Sequence, residues 1–423
     1  MAQPQQQRAQ QRDDSFTYSW PDGDFSRIPD WIYTSEEIYR RELDRIFHGP
    51  TWNFVGFEAE IPNPGDFRRS YVGSTPVIVS RGKDGGVYVM ENRCRHRGVE
   101  MCREMRGNNA EFVCPYHQWT YDLNGDLIGV PFRRGVAGQT GMPKDFDLKE
   151  NGLVRLKTAT RGGVIFATFA DEIESLEDYV GPEVLADFDS TFDGRKLKIL
   201  GYWRNRMPAN WKLYHENLKD PYHATLLHTY LVNFNLLVAG QKGTMLADKT
   251  GRHGSMASAT GEGDDSTKKQ SLGEIRKYRD GMELQDRRVV SFQREFDSPW
   301  SVTMLTIWPN LIVQRELNTL GIRQIVPRGP GEFDMYWVMF GYEGDDEEMT
   351  KLRLCQANLM GPAGHLGAED NEAIEFVQEG VARTLTGYGT VKLGGDEEGT
   401  TDNSISEGCI RAMYRHYAGV MGL

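Results

Sequence analysis

Residues 94–98 read CRHRG and residues 114–119 read CPYHQW. Each stretch sets one cysteine beside one histidine: Cys94-x-His96 and, seventeen residues later, Cys114-x-x-His117. A thiolate is a soft anionic ligand and an imidazole a neutral one. A structural zinc knuckle takes two cysteines from one short turn, and neither stretch here holds two. Two loops that each bring one sulfur and one ring nitrogen suit two metals side by side. One metal takes both thiolates and the other both imidazoles.

That ligand set is the one of a Rieske [2Fe–2S] centre. Exchanging two thiolates for two imidazoles removes negative charge, so the reduced cluster is less disfavoured. The potential then lies at roughly −150 to +300 mV, against about −400 mV for all-cysteine plant-type clusters. Gly98 and Pro115 permit tight loops, and Tyr116 and Trp119 can shield a cluster from water. A zinc site or a chance clustering is the alternative reading. Cys102 lies in the gap without a matched histidine and is read as a bystander.

A second set of ligand types stands at 210–228, NWKLYHENLKDPYHATLLH, with His215, His223, His228, Glu216, Asn217 and Asp220. Two histidines and one carboxylate can hold Fe(II) on one face and leave the other open to dioxygen and substrate. Asp220 and His223 are three apart and share a helix face. His223 and His228 are five apart, about 140° around a regular helix. If both bind one metal, the helix must bend or widen between them, as a π-type bulge does. The alternative is that these are ordinary core histidines packed with Leu226 and Leu227.

The elements that carry these residues follow from pattern. Of 423 residues, 39% are hydrophobic, with 9 Trp, 18 Tyr and 19 Phe, enough for two or three packed units. A net charge of −12 argues against nucleic acid and anionic membranes as partners. No apolar run approaches the roughly 18 residues of a spanning helix. The Gln-rich start has no signal-like apolar stretch and reads as a solvated tail. Five cysteines in no framework of pairs fit a reducing, cytoplasmic setting. WNFVGFEA, RRSYVGSTPVIVSR, GGVYVMEN and RGGVIFATFA read as strands divided by turn signals. DWIYTSEEIYRRELDRIF reads as a helix capped by Ser35. Residues 210–237 read as one helix-like segment, and 239–271, rich in Gly, Ser and Asp, as a long loop. Residues 289–342 return to strands, and two helices follow. The fold class is α+β. The expected units are 1–50, a tail and helix packing on the catalytic part; 51–170, the iron–sulfur domain; and 171–423, the mononuclear-iron domain.

With both constellations in place, the chain resembles the large (α) subunits of Rieske-type aromatic-ring-hydroxylating oxygenases. The motifs are C-x-H-x₁₇-C-x₂-H and N-x-x-D-x-Y-H-x₄-H, the second read as Asn217, Asp220, Tyr222, His223 and His228. The resemblance implies an all-β Rieske domain inserted in a helix-grip catalytic domain with a long antiparallel sheet. It implies Asp370, in GHLGAEDNEAIE, as the carboxylate ligand, with Glu369 and Glu372 as local rivals. It places Asn217 near the iron, and has Asp220 bridge His223 of its own chain to the cluster ligand His117 of a neighbour. That bridge implies a ring of three α subunits, joined by small β subunits as α3β3.

Stretches such as EAEIPNPGDF, GRKLKILGY and QANLMGPAG carry a closer likeness, to family members acting on benzoate-like acids such as anthranilate, salicylate and terephthalate. The expected reaction takes anthranilate, NADH and O2 to catechol, CO2 and NH3; gentisate formation from salicylate is the alternative. A carboxylate substrate calls for a planar cation, and Arg323 and Arg411 are the candidates. The chain has no G-x-G-x-x-G turn, so electrons from NADH must come through a separate reductase and a ferredoxin. A Rieske electron carrier without oxygenase activity, a zinc-scaffolded binding protein and a demethylating monooxygenase are the rivals.

Overall fold

The computed structural model describes residues 18–234, 236–237, 241–263, 265–384, 387–395, 399–403 and 405–423. The Gln-rich start lies outside them. The first helices, Trp31–Thr34 and Glu36–Glu42, meet at Ser35, whose hydroxyl accepts from the Ile38 amide at 3.3 Å. Ile32 and Ile38 bury in the same core as Trp211, Trp308 and Tyr414. An ion pair between Lys212 and Glu42, 2.6 Å long with neither side chain exposed, ties these helices to the catalytic part.

Three antiparallel sheets follow. Val87–Glu91, Thr75–Arg81, Asp66–Val72 and Arg106–Asn108 form the first in that order. Phe112–Val113, Thr120–Tyr121 and Leu127–Gly129 form a small second one. Lys157–Arg161, Val164–Thr168 and Asn53–Phe57 form the third, and it is the mount. Its Phe54, Phe57 and Phe166 pack against Leu305, Leu311 and Phe340 of the large sheet. Asn310 locks the joint, accepting from the Phe54 amide at 2.8 Å and donating to its carbonyl at 3.1 Å.

The large sheet has seven antiparallel strands. They are β1 (Leu197–Met207), β2 (Gln241–Ala247), β3 (Gly254–Gly263), β4 (Val302–Ile307), β5 (Leu311–Glu316), β6 (Thr319–Gly329) and β7 (Glu332–Tyr342). Their order across the sheet is β1-β7-β6-β5-β4-β3-β2. Both faces are covered, which is why MYWVMFGY reads as an unbroken apolar run. On β7, Met335, Trp337 and Met339 enter one core while Val338, Phe340 and Tyr342 enter the other. The helices that frame the site are α1 (Trp211–Asn217), α2 (Pro221–Ala224), α3 (Thr229–Asn233), α4 (Glu347–Met360), α5 (His365–Arg383) and α6 (Gly408–Met421).

Two expectations are corrected. Residues 210–237 are not one helix but three short ones. The Gly/Ser-rich stretch expected as a loop supplies β2, β3 and the helix Asp265–Glu274. Small residues such as Gly254, Ser255 and Ala257 pair their backbones in the sheet. Those facing the cavity need no bulk, so the period that marks a strand is missing. Among the described residues, no helix is long and apolar enough to cross a membrane.

Candidate active site

The two Cys/His loops are built alike. In each, the cysteine amide donates to the carbonyl five residues on, Val99 or Trp119, at 2.9 Å. In each, the residue four on, Gly98 or Gln118, returns its amide to the cysteine carbonyl at 2.9 Å. That position is left-handed in both, at φ 73° and 56°, which suits glycine and strains glutamine. Cys94 and Cys114 are each 1% exposed, and both are free thiols. The imidazoles of His96 and His117 lie further out, ring centroids 4.5 Å apart, with His96 exposed. Trp119 stacks on His96 at 4.9 Å.

These residues fit a two-iron cluster. Sulfurs inside and imidazoles outside is the required split, and His117 Nδ1 is buried without a hydrogen-bond partner, as a ligand atom is in a metal-free chain. The Tyr121 hydroxyl lies 3.4 Å from Cys94 Sγ and accepts from the Arg95 amide at 3.1 Å. Sequence reading missed Tyr121; its place two residues beyond Trp119 was the only signal.

The second constellation comes together because the chain turns twice. Asp220 caps α2, its carboxylate accepting from the amides of Tyr222 and His223 at 3.0 and 3.2 Å, and Pro221 fixes the first turn. After Ala224 the helix ends, and His228, at φ −82° and ψ 63°, stands just ahead of α3. The irregularity expected between the two histidines is thus a full break rather than a π-type bulge. The two ring centroids lie 5.4 Å apart, one ring edge-on to the other. Asp370 comes from α5, with Oδ1 3.4 Å from His223 Nε2 and 3.2 Å from His228 Nε2. The three ligand atoms lie within 4.8 Å of one another. Two atoms bound at right angles at about 2.1 Å would stand about 3 Å apart, so this trio fits one metal ion.

The atoms turned away from that point are held as well. His223 Nδ1 donates to the Asp220 carbonyl, and the Asp220 carboxylate itself lies 3.6 Å off. His228 Nδ1 donates to Glu369 at 2.7 Å. Glu369, expected as a rival ligand, instead accepts from His228 on the side turned away from the trio, and neither it nor Glu372 is among the gathered residues. Asn217 Nδ2 lies 3.3 Å from His223 Nε2 and 3.1 Å from Asp370 Oδ1. Burial opposes charge on His223, but hydrogen bonds to Asp220 and Asp370 raise it to about 10. Burial alone would raise the Asp370 carboxyl; bonds from His223 and His228 instead hold it well below the ordinary carboxylate range. Such a site keeps a proton where a metal ion would replace it.

Beside the three lies a cavity of about 130 Å³, lined largely by apolar groups such as Leu231, Met256, Val302, Met304 and Met360. An apolar cavity of about 150 Å³ holds one benzene, so this space is that of a single ring. Arg323, on β6, lines it and is 4% exposed. Its Nη1 donates to the Tyr214 hydroxyl at 2.7 Å, and its guanidinium lies 4.2 Å from the Trp337 ring centre. Arg411 is elsewhere. Its Nη1 donates to the carbonyls of Val391 and Leu393 at 3.0 and 3.2 Å, tying α6 to the chain before it. That structural role replaces the expected substrate contact.

Family profiles match the two halves in this order: the Rieske [2Fe-2S] domain over residues 51–140, and the ring hydroxylating alpha subunit catalytic domain over 195–423. The large oxygenase component of salicylate 5-hydroxylase from Ralstonia sp is 47% identical over 411 residues, 95% of this chain and 96% of that one. The chain belongs to the Rieske ring-hydroxylating oxygenases. It is a large subunit of that family, an enzyme of the [2Fe–2S] and mononuclear-iron kind. The anthranilate 1,2-dioxygenase large subunit of Burkholderia cepacia is 42% identical, with 97% of each chain covered. A terephthalate 1,2-dioxygenase alpha subunit of Comamonas sp is 36% identical, covering 95% and 97%. The fold is that of naphthalene 1,2-dioxygenase from Rhodococcus sp., at a TM-score of 0.77 and 23% identity, covering 93% of this chain and 94% of that one.

Proposed function

We propose that this oxygenase hydroxylates a single-ring aromatic monocarboxylic acid, with Arg323 holding the carboxylate. The observation that carries the reading is Arg323 itself. It is a buried guanidinium on the cavity wall with no acid within ion-pair distance among the described residues, and its Nε is unpaired. An uncompensated buried charge is costly, and a planar carboxylate relieves that cost with paired hydrogen bonds. No second Lys or Arg lines the cavity among the described residues, which favours one carboxylate over the two of terephthalate. Salicylate heads the class on the 47% relative, giving gentisate. Anthranilate, expected from the sequence and giving catechol, is the second reading on the 42% relative.

In this reading His223, His228 and Asp370 hold the iron, and Cys94, His96, Cys114 and His117 hold the cluster. The cluster supplies single electrons, and the iron supplies the redox chemistry by which dioxygen reacts with the ring. The chain's own groups do the rest. Glu369 and Asp220 fix the two imidazoles with Nε2 inward. Asn217 stands over the ligand atoms as a hydrogen-bond donor. The apolar wall keeps water from the ring. Asp220 also serves as the link to His117 of a neighbouring copy in a three-membered ring. Exposed Tyr116 and Phe132 on the cluster domain, and Tyr222 and Leu226 beside Asp220, support contact between those two regions. A small β subunit completing α3β3, a ferredoxin, an NADH-dependent reductase and a cytoplasmic setting complete the proposal.

Turnover of the reconstituted system with salicylate, anthranilate, benzoate and terephthalate, products identified by mass, tests it. Hydroxylation of one or more monocarboxylates, lost in Arg323→Leu, is the expected result. Turnover of neutral aromatics alone would sink it. Iron analysis separates the rivals: three irons per chain for the oxygenase, two for an electron carrier, and a colourless protein for a zinc scaffold.

A further inference from the structure

Glu316 stands in the same cavity as Arg323 and has no part in the chemistry above. It closes β5, while Arg323 lies on β6. Across this hairpin Glu316 pairs with Thr319 and Ile312 with Arg323. Even spacing along both strands puts the two charged side chains on one face of the sheet. Both line the cavity.

A cation and an acid on one buried wall each carry a desolvation cost that a close, well-oriented ion pair offsets. These two do not: no ion pair joins them. Arg323 donates to Tyr214, and Glu316 accepts from Gln314 Nε2 at 2.7 Å. Each keeps hydrogen-bonding capacity unspent, since a carboxylate has about four acceptor sites and the Arg323 Nε is unpaired. Burial raises the Glu316 carboxyl, with Gln314 and Arg323 opposing the rise. The wall therefore offers one donor group and one acceptor group, held apart, above a space that fits one ring.

We infer that Glu316 accepts a hydrogen bond from a hydroxyl or amino group on the substrate ring, set beside the carboxylate that Arg323 binds. The substrate class is thereby narrowed to ring acids with an adjacent donor, a feature that salicylate and anthranilate share and benzoate lacks. The inference rests on the carboxylate reading of Arg323. A bare benzoate would press an apolar C–H edge against Glu316 and leave its remaining acceptor sites unpaired, the arrangement by which polar pockets reject an analogue that lacks the donor. Gln314 is the positioning residue, since its amide sets the direction of the Glu316 carboxyl.

The experiment measures kcat/KM for salicylate, anthranilate and benzoate in the full reconstituted system. It compares the parent with Glu316→Leu, Glu316→Gln and Arg323→Leu, and measures equilibrium binding of the same acids to each oxygenase. The parent is expected to favour the better donor-bearing acid over benzoate by about 10²-fold or more. In Glu316→Leu that ratio should fall at least tenfold, in binding as in turnover. In Glu316→Gln, which keeps a carbonyl acceptor, most of it should survive. Arg323→Leu should weaken all three acids together. An unchanged ratio in Glu316→Leu, with Arg323→Leu still lowering all three, overturns this inference and leaves the carboxylate reading standing. Indifference of all three acids to Arg323→Leu overturns both. Should Glu316→Leu fail to fold, Glu316→Ala takes its place, and an unchanged ratio there overturns the inference instead.

Discussion

His215, His223 and His228 share one short stretch of chain and end in different chemistry. His215 is fully buried, with Nε2 2.8 Å from the Pro309 carbonyl. Burial and the nearby Lys219 push it down to about 3, and burial pushes His253 down to about 3 as well. Both stay neutral in the fold while the unfolded chain takes up protons below about pH 6.5. Their contribution is complete above that pH and is lost as pH falls from 6.5 toward 3. At pH 5 each should cost about 2 kcal/mol. Thermal melts from pH 7.5 to 5 should show a falling Tm, less steep in a His253→Gln variant; a flat profile contradicts the assignment. At the ligands, Asp370→Ala should drop iron from three to two per chain, keep the cluster spectrum and abolish turnover. Glu369→Gln should weaken iron binding by about 10–100-fold. At the cluster, Tyr121→Phe removes a hydrogen bond to the Cys94 sulfur. A loss of about 1 kcal/mol for one electron lowers the midpoint potential by roughly 40 mV, measurable by redox titration.

At the scale of elements, the break between α2 and α3 makes two histidines five apart into neighbours. Five-residue spacing implied a distortion; Asp220 and Pro221 in NLKDPYH mark where α2 starts, but not where it ends after Ala224. The matter turned on which helix ended first, and packing decided that. Asp220→Asn separates the capping role from the charge. Asparagine caps as well as aspartate, so Tm should hardly move. Electron delivery to the mononuclear site, followed by single-turnover mixing, should slow by about tenfold or more. Equal rates would remove Asp220 from the electron path. The cluster loops tell a similar story. Gly98 announces a left-handed residue, whereas Gln118 takes the same conformation with nothing in its type to show it.

At the scale of the molecule, the unit that folds is larger than any segment read from the sequence. The Lys212–Glu42 pair lies at the junction of the first helices and the catalytic core, with Trp211 Nε1 and the Tyr417 hydroxyl also donating to Glu42 at 2.8 and 2.7 Å. Replacing Lys212 by Met leaves Glu42 buried and uncompensated, which should cost about 3–5 kcal/mol, read as a shift in denaturant midpoint. The split between sulfurs inside and imidazoles at the surface also belongs to this scale. Light scattering on the purified chain should report a trimer, and Phe132→Glu should weaken it; a monomer with full activity would refute the shared electron path.

Ligand chemistry could be read from the chain alone, because it depends on residue type and short spacing: two Cys/His pairs, then histidines near an acid. Strands of alternating or unbroken apolar character were legible for the same local reason. Which acid joins the two histidines and which accepts from His228 on its far side was not, nor was the separation of Arg323 from Arg411. Residues more than a hundred apart in the chain are brought together by strand order and helix packing, and only those contacts set which charges face the cavity and which tie backbone to backbone.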